Sequence, residues 1–453
     1  MRSFPIKRFI SILLLVALFV TCTAAPAAAD DSIYIRVLLS RGTGSGFSAK
    51  IIEGEYELID EEEDEVLDEY GPGDTIYINS GCILQEVDED EDNIFSYAGT
   101  QYRGSLRAIS NDATLYAVNV IDLEQYLYGV VGKEMGASHP EEALKAQAVV
   151  ARSYGAAHIS SSNKYYDVDK GTNSQVYGGY TAEREGGDAV IDAVDDTYGE
   201  VVTYKDKVIS TPFCSNAGGH TETMSVVWSG SAAYDIPAVE SPYDEEAGNY
   251  SEYGATTYQW VVEYTADEME ELCDEYDGTN IGTYKSIKVS TSGSDSGRVT
   301  RVVIKGSKGS VTADTQTKIR SLLGLKSTLF TVQDIGNPAP AGYVRSVTQT
   351  ISISDFVPLF VRSAYYSVAK AINGGSGTVY AVDAFGEVNK LVSTSSDSDV
   401  VVFSGKGYGH GVGLSQWGAI CMAHDGYDYD EIIAHYFSLD EDDDLDLQEI
   451  YDL

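Results

Sequence analysis

The alternation of apolar and polar residues divides the chain into a strand-rich first quarter, a helical pair and a mixed remainder. Between residues 33 and 115, short runs of β-branched and aromatic residues are separated by glycines and acidic turns, a pattern typical of strands. The acidic stretches 59–69 and 87–93 fall between these runs and predict solvated hairpin tips.

The apolar period changes between residues 122 and 157, and the new spacing predicts two consecutive helices. Asp122 has the position of an N-cap for the first helix, and Ser138 has that of the second, with Pro140 in its first turn. A short break that contains glycine, residues 132–137, separates the two helices.

Strand-like runs return after this helical pair, and two further helices interrupt them. The strands are predicted at 201–205, 208–213, 284–290, 298–305 and 343–347. The helices are predicted near 318–325 and at 414–424, and the acidic tail after Leu439 is expected to be solvated and mobile. These elements predict an α+β fold, a β-rich mixed domain whose central helical pair carries the catalytic cleft.

The chain is strongly acidic, with 30 Lys and Arg against 71 Asp and Glu among its 453 residues, a formal net charge of −41. Such a surface repels phosphate backbones, so the composition argues against partners such as nucleic acid. With 43% hydrophobic residues the chain can bury a substantial core, which excludes wholesale disorder.

The first 29 residues have the pattern of a secretory signal peptide, with positive charges at Arg2, Lys7 and Arg8 before an apolar stretch at 9–20. Three alanines at the end of the segment provide a cleavage site. An uncleaved membrane anchor is the alternative, although the apolar stretch is short for a span. We therefore predict an exported chain, extracellular if the signal is cleaved and membrane-anchored if it is retained.

Cysteine and histidine are scarce and widely spaced. One or two disulfides and buried free thiols fit equally well for Cys82, Cys214, Cys273 and Cys421. Cys214 and His220 are neighbours in sequence but too few for zinc, which takes three or four protein ligands. The sequence predicts no metal and no cofactor.

Glu134 is the first candidate catalytic residue, because the predicted break between the two helices lets its side chain project into a cleft. Lys145 and Arg152 are seven residues apart and share one face of the second helix. If that face turns toward the break, the carboxyl group meets two cations; the alternative is a surface salt-bridge cluster. A carboxyl group that gives and accepts a proton suits glycosidic-bond cleavage, and Asp167 or Asp169 is the candidate second carboxylate of a hydrolase.

A glycine-rich segment, residues 405–419, lies between a predicted strand and a predicted helix. It lacks the acidic ribose partner of a dinucleotide-binding fingerprint and the Lys-Ser or Lys-Thr pair of a P-loop, so a bound nucleotide is not expected. Its aromatic rings suit sugar faces and its polar groups suit hydroxyls. The candidate binding residues are Tyr408, His410, Ser415, Gln416 and Trp417. The alternative is a buried glycine-rich turn with a core histidine.

Seven runs, in a fixed order, carry a resemblance. They are LEQYLYGVVGKEM (123–135), HPEEALKAQAVVARSYG (139–155), NSQVYGG (173–179), SNAGGHTET (215–223), SGRV (296–299), IRSLLGLKST (319–328) and GYGHGVGLSQWGA (407–419). Together they resemble the stage II sporulation protein D family, which includes the amidase enhancers of Gram-positive cell walls. A C-terminal helix at 429–437 is also similar to that of the family.

This resemblance implies a lytic transglycosylase that acts on peptidoglycan glycan strands stripped of stem peptides, in sporulation or cell-wall remodelling. It implies that Glu134 protonates the oxygen between N-acetylmuramic acid and N-acetylglucosamine and then, as a base, takes the proton of the muramoyl 6-hydroxyl to close a 1,6-anhydro ring. Lys145 and Arg152 match family positions associated with activity. The zinc site of some members is not expected, because Asn173 and Ser174 replace its His-Cys pair.

Two other functions stay open. A non-catalytic wall-binding protein that enhances an N-acetylmuramoyl-L-alanine amidase would use Glu134 only as a hydrogen-bond acceptor, and its partners would include that amidase. A muramidase would leave a reducing end instead of an anhydro ring.

With the resemblance, the chain is predicted to have five parts. They are a signal peptide (1–29), an N-terminal β-rich segment (30–115), a sporulation-protein-D-like catalytic core (116–335), the C-terminal part of the same fold with the glycine-rich loop (336–438) and an acidic tail (439–453).

Overall fold

The structure is a computed structural model. It describes residues 32–88, 92–160, 165–228, 230, 232–334, 377–382, 388–394, 400–439 and 444–453. The chain separates into two units, residues 1–33 and 34–453, and every element below belongs to the second. The predicted signal peptide and the strand predicted at 343–347 lie outside the described residues.

Strands make up most of the elements in the described ranges. They are β1 (Tyr34–Gly42), β2 (Gly46–Glu53), β3 (Tyr56–Asp60), β4 (Glu65–Tyr70), β5 (Thr75–Asn79), β6 (Cys82–Glu86), β7 (Ile94–Tyr97), β8 (Thr100–Tyr102), β9 (Ser105–Asn111), β10 (Thr114–Asp122), β11 (Val168–Asp169), β12 (Glu200–Tyr204), β13 (Phe213–Cys214), β14 (Gln259–Thr265), β15 (Tyr284–Thr291), β16 (Val299–Gly306), β17 (Ser310–Ala313), β18 (Phe330–Asp334), β19 (Gly377–Val382), β20 (Val388–Thr394), β21 (Val400–Lys406), β22 (Leu414–Ser415) and β23 (Leu445–Glu449).

Helices are interspersed among these strands, which confirms the predicted α+β class. They are α1 (Leu123–Glu134), α2 (Glu141–His158), α3 (Gly179–Asp195), α4 (Met224–Val227), α5 (Ala247–Tyr250), α6 (Glu252–Tyr258), α7 (Ala266–Asp277), α8 (Gln316–Leu323), α9 (Gln416–His424) and α10 (Tyr429–Phe437), with 3-10 turns at Pro242–Glu246 and Ile450–Asp452.

The strand-rich first quarter folds into two sheets within the described ranges. The larger has the strand order β11-β1-β10-β9-β6-β3-β4, and the smaller has β5-β2-β7-β8. β3 and β4 form the hairpin predicted for 59–69, with Ile59 opposite Val66. Alternate side chains such as Ile35 and Val37 are buried, as expected for sheets with one face on a core. Because β10 ends at Asp122, the larger sheet leads directly into α1.

The predicted helical pair is confirmed, but its boundaries differ from the prediction. Asp122 caps α1 by accepting the backbone N–H groups of Glu124 (2.9 Å) and Gln125 (3.2 Å). Pro140 holds the N-cap position of α2 without a side-chain hydrogen bond, so the prediction of a Ser138 cap is wrong. α1 also continues through Gly132 to its end at Glu134, which makes the glutamate the last helical residue.

Close packing of α3 on α1 explains why glycine does not interrupt α1. A Cβ at Gly132 would lie 2.5 Å from the Ala182 carbonyl oxygen of α3, and one at Gly129 would lie 2.6 Å from the Tyr177 ring. These glycines therefore allow a close helix–helix approach, which outweighs their low helix propensity.

The described residues of the C-terminal half contain two large apolar clusters and a small one around Trp417 and Ile420. One lies between the sheets β14-β21-β18 and β15-β16-β17 and the helices α7 and α8, around Met269 and Phe403. The other lies between α2, α9 and α10, around Ile433 and Phe437. The helices predicted near 318–325 and at 414–424 correspond to α8 and α9.

The expectation of a solvated, mobile tail is wrong for residues 444–453. β23 pairs antiparallel with β12, from Glu200 opposite Glu449 to Tyr204 opposite Leu445. Leu445 is buried, and Tyr451 stacks on Tyr198 with ring centroids 5.3 Å apart. Backbone pairing therefore outweighs the acidity of the segment.

Candidate active site

The Glu134 carboxyl group is half-buried at the C-terminus of α1. The backbone N–H of Val176 donates to its Oε1 at 2.7 Å, and the Gln416 side chain is close enough to act on its pKa. Burial raises the pKa of Glu134, and the hydrogen bonds from Val176 and Gln416 act in the opposite direction. The net result is a carboxyl group that holds its proton more tightly than an exposed glutamate does.

The segment that supplies the Val176 donor is fixed on both sides. The Gln175 amide donates to a backbone carbonyl of α2 at 3.1 Å and accepts the Tyr126 hydroxyl at 3.0 Å. The Tyr177 hydroxyl donates to Asn119 Oδ1 at 3.0 Å. Gln175 and Tyr177 are both buried and hydrogen-bonded. The backbone N–H of Val176, which lies between them in the chain, therefore points in a fixed direction toward Glu134.

A second glutamine lies behind Gln416. Gln416 Nε2 donates to Gln147 Oε1 at 3.2 Å, and Gln147 is fully buried on α2. The side-chain amide of Gln416 therefore lies next to both Glu134 and Gln147. Gln147 was not among the predicted site residues, although an amide among the alanines and valines of an apolar helix face was a visible signal.

Lys145 does share a helix face with Arg152, but that face turns toward the end of α3 and away from Glu134. Lys145 Nζ pairs with Asp196 at 2.9 Å and with Glu141 at 2.6 Å. Burial lowers the pKa of Lys145, but the hydrogen bonds that it donates to Glu141 and Asp196, together with the charges of Glu142 and Glu141, raise it overall. The expected meeting of this cation with Glu134 is therefore wrong.

Arg152 is fully buried and lies in a structural ion pair. Its Nε and Nη2 donate to the two carboxylate oxygens of Glu124 at 2.7 and 2.6 Å. Further N–H groups donate to the backbone carbonyls of Val194 and Glu200, each at 3.1 Å. The guanidinium thus joins α1, α2, α3 and β12, and direct contact with a glycan or with Glu134 is excluded by its position.

The glycine-rich loop is a tight turn with alternate residues in the left-handed region. The values of φ are +78° at Gly407, +118° at Gly409, +77° at Gly411 and +70° at Gly413. Such angles favour glycine. In addition, a Cβ at Gly411 would lie 2.1 Å from the Arg298 guanidinium.

Four of the five loop residues predicted to bind a ligand have partners inside the protein, and one of them is Gln416 beside Gln147. His410 Nδ1 accepts the Val412 N–H at 3.0 Å, and burial lowers the pKa of His410 to about 3. Ser415 Oγ donates to Asp244 Oδ1 at 2.5 Å. Trp417 is only 5% exposed and lies against the edge of His139, so little of its ring is available to a sugar, contrary to expectation. Tyr408 remains half-buried at the surface.

The two candidate second carboxylates have other partners. Asp167 accepts three N–H groups of Arg36, including a 2.6 Å ion pair. Asp169 Oδ1 accepts the Gly171 N–H at 2.8 Å. Neither has a hydrogen bond to Glu134 within the described residues.

The four cysteines in the described ranges are buried and free, so the thiol alternative holds for Cys82, Cys214, Cys273 and Cys421. The described residues contain no group of three or more His, Cys, Asp or Glu side chains suited to a metal ion. Within the same ranges, no helix has both the length and the apolar character needed to span a membrane.

Sequence comparisons connect this site with known proteins. Residues 111–204 match the profile of the stage II sporulation protein family, and residues 244–346 match a domain of unknown function. An uncharacterised protein of Brachyspira hyodysenteriae is 30% identical over 76% of this chain and 73% of its own length. The chain belongs to the stage II sporulation protein D family.

Two relatives from Bacillus subtilis carry functional names. The stage II sporulation protein D of that organism is 25% identical over 71% of this chain and 74% of its own length. The amidase enhancer is 29% identical over 69% of this chain, which spans only 39% of that longer protein. The segment matched to the family profile contains Glu134, Gln147 and Val176, whereas Gln416 lies outside it.

Proposed function

We propose that this family member is an exported peptidoglycan lytic transglycosylase of the cell wall, with Glu134 as its acid/base. The observation that carries the proposal is the Glu134 carboxyl group itself, whose pKa is raised by burial and which is oriented by the hydrogen bond from the Val176 N–H. A general acid must be protonated near the working pH, and burial favours that state. The resemblance supplies the substrate, glycan strands without stem peptides.

The reaction needs only one carboxyl group. Glu134 gives its proton to the glycosidic oxygen, the bond from that oxygen to muramoyl C1 breaks, and the leaving sugar departs with a hydroxyl group. The muramoyl 6-hydroxyl oxygen then bonds to C1, and its proton returns to Glu134. The N–H groups of Val176 and Gln416 stabilise the carboxylate that exists between the two transfers.

Enhancement of an amidase is the second candidate, because a relative carries the name amidase enhancer. In that case Glu134 has a structural role and the wall surface binds through other residues. The muramidase alternative is weaker, because the Arg36 ion pair already engages Asp167.

The first prediction concerns the Glu134→Gln variant. Purified mature protein should release anhydro-muramoyl products from denuded glycan strands, and the variant should be at least about a hundredfold slower, the range of general acid–base catalysis. Mass spectrometry of the products measures both. Glu271→Gln, an exposed glutamate on α7, is the matched control and should keep full activity.

Stability distinguishes loss of chemistry from loss of fold. A carboxyl group whose pKa is raised on folding costs stability at pH values above that pKa, whereas an amide does not titrate. Glu134→Gln should therefore unfold at an equal or higher urea concentration at neutral pH.

In the cleavage assay, reducing-end products would indicate hydrolysis. A variant that stays fully active, or a folded wild-type protein with no cleavage, would refute the transglycosylase and favour the enhancer.

A further inference from the structure

Four basic side chains lie around the start of the glycine-rich loop without a carboxylate partner. They are Arg298, Arg320, Lys326 and Lys406. None of them takes part in an ion pair with a described residue. In a chain with 71 acidic and 30 basic residues, a group of unpaired cations creates a local positive potential against an acidic background.

Three tyrosines accompany these cations. Lys326 Nζ lies 5.7 Å from the centre of the Tyr408 ring, and Lys406 Nζ lies 5.0 Å from that of Tyr258. Tyr253 is 58% exposed on the same short helix as Tyr258. We call these five residues, Tyr253, Tyr258, Lys326, Lys406 and Tyr408, the tyrosine–lysine patch.

Backbone hydrogen bonds hold the tyrosine–lysine patch together. The N–H of Gly409 donates to the Lys326 carbonyl at 3.0 Å, and the N–H of Gly407 donates to the Tyr258 carbonyl at 2.9 Å. Lys326 Nζ itself donates to the Thr256 carbonyl at 2.6 Å. The rings and ammonium groups are therefore positioned before any ligand arrives, which lowers the entropic cost of binding.

The two arginines lie beneath this surface and add to its potential. Arg298 is 2% exposed; its Nη2 donates to the Ala217 carbonyl at 2.6 Å, while its Nε and Nη1 have no partner in the described ranges. Arg320 Nε is also buried without a partner.

The acidic groups that act on this region are Glu222, Asp244 and Glu245. Glu222 accepts the hydroxyls of Ser292, Ser294 and Ser296, and Asp244 accepts the Ser415 hydroxyl and the Gly219 N–H, so both carboxylates are engaged inside the protein. Glu245 is exposed and forms no ion pair with the two lysines. Lys326 Nζ donates to the Thr256 carbonyl and Lys406 Nζ donates to the Tyr258 hydroxyl at 3.1 Å. An ammonium group has three N–H donors, so each lysine keeps donors for an external anion.

We propose that the tyrosine–lysine patch binds muramoyl residues that carry a free lactyl carboxylate, with the ammonium groups on the carboxylate and the rings of Tyr253 and Tyr408 on the pyranose. Tyr258, which is only 8% exposed, supports Lys406 from below. This rests on the proposed function. Removal of a stem peptide leaves one carboxylate on each muramoyl residue, which matches a surface of cations and aromatic rings. The same loop continues to Gln416 beside Glu134, which connects the patch with the candidate active site. Polyol-phosphate wall polymers share the negative charge but offer no pyranose faces in their backbone.

The test measures equilibrium binding in the inactive Glu134→Gln background, so that no strand is cleaved. The probes are denuded glycan strands and the same strands with their carboxylates converted to methylamides. Lys326→Gln and Tyr253→Ala should each weaken binding to the charged strands about tenfold, near 1.4 kcal/mol and within the range of one charge-assisted hydrogen bond. Lys326→Gln should have no effect on the neutralised strands.

Lys318→Gln is the matched control, because Lys318 is an exposed lysine of α8 that already pairs with Asp314 at 2.8 Å. It removes the same charge and should leave binding unchanged. Equal binding of charged and neutralised strands, or Lys326→Gln binding like the control, would overturn the proposal. Binding of a polyol-phosphate polymer, without any binding of glycan strands, would also overturn it.

The two proposals fail separately. If the wild-type protein cleaves glycan and Lys326→Gln has unchanged binding and KM, the proposed role of the patch is refuted and the transglycosylase proposal stands. Carboxylate-dependent binding through Lys326 without any cleavage would keep the patch and remove the transglycosylase.

Discussion

At Glu134, the distribution of hydrogen-bond donors matters as much as the carboxyl group. Val176 contributes a main-chain N–H, which no substitution except proline removes, whereas Gln416 contributes an amide that is itself hydrogen-bonded to Gln147. Burial and these donors shift the pKa of Glu134 in opposite directions. The balance between them determines the pH range in which one group can act first as an acid and then as a base.

The second prediction concerns Gln416→Leu. The Gln416 side chain lowers the pKa of Glu134, whereas burial raises it. Replacement of Gln416 by leucine removes only the lowering effect, so the pKa of Glu134 should rise further. The descending limb of kcat/KM against pH, which reports loss of the acid's proton, should therefore move to higher pH, and the maximal rate should fall because the carboxylate is less stabilised.

Steady-state assays across pH measure both effects. Gln85→Leu, an exposed glutamine on β6, should leave the pH profile unchanged. A descending limb that does not move in Gln416→Leu, or that moves to lower pH, would contradict the role given to the amide.

Between elements, a fully buried ion pair joins parts of the helical layer. Arg152 contacts Glu124 of α1, Val194 of α3 and Glu200 of β12, so four elements share one buried guanidinium. Lys145 reaches the same end of α3, but its partners Glu141 and Asp196 have side chains that are 64% and 56% exposed. Water therefore competes with Lys145 for Glu141 and Asp196, but it does not reach the Arg152–Glu124 pair.

The third prediction compares these two cations. Arg152→Met should lower the free energy of unfolding by about 3–5 kcal/mol, because it leaves the buried Glu124 carboxylate without its partner. Lys145→Gln should cost less than about 1 kcal/mol, as is usual for partners that face solvent. Urea unfolding followed by circular dichroism measures both, and similar losses for the two variants would contradict the assignment.

For the molecule as a whole, the net charge of −41 opposes the proposed substrate, because peptide-free glycan is also anionic. Repulsion by the whole surface acts over the Debye length, whereas the contact at the tyrosine–lysine patch is local. The Debye length falls from about 30 Å at 0.01 M salt to about 8 Å at 0.15 M and about 3 Å at 1 M.

The fourth prediction is a maximum in the salt dependence of wall binding. Binding of Glu134→Gln protein to purified walls should rise from 0.01 to about 0.15 M salt as the repulsion is screened, and then fall as the local contacts are screened. With Lys326→Gln, most of the decrease in wall binding above about 0.15 M salt should disappear. A sedimentation assay measures the bound fraction, and a steady decrease from the lowest salt concentration would contradict this balance.

Local chemistry made much of the fold predictable. Asp122 is a strong cap, and the periods of the first quarter and of 122–157 are clear, so α1, α2 and strands of the first quarter such as β1 and β3 were predicted. The strand predicted at 208–213 was wrong, because only Phe213 belongs to a strand there. α3 was missed because Gly186 and Gly187 interrupt its pattern, and Gly187 has a φ of +58° within the helix. α7 was missed although Thr265 and Glu268 form a capping box that the sequence displays.

The sequence by itself determined the α+β class, the order of the family motifs and the choice of Glu134, because periodicity, caps and motifs are local properties of the chain. Only the tertiary structure decided which groups meet. It brought Val176 and Gln416 to the carboxyl group from 42 and 282 residues away, turned the face of Lys145 and Arg152 toward α3, and paired the acidic tail with β12. These outcomes depend on the free energy of packing and pairing between distant segments, which no local pattern records.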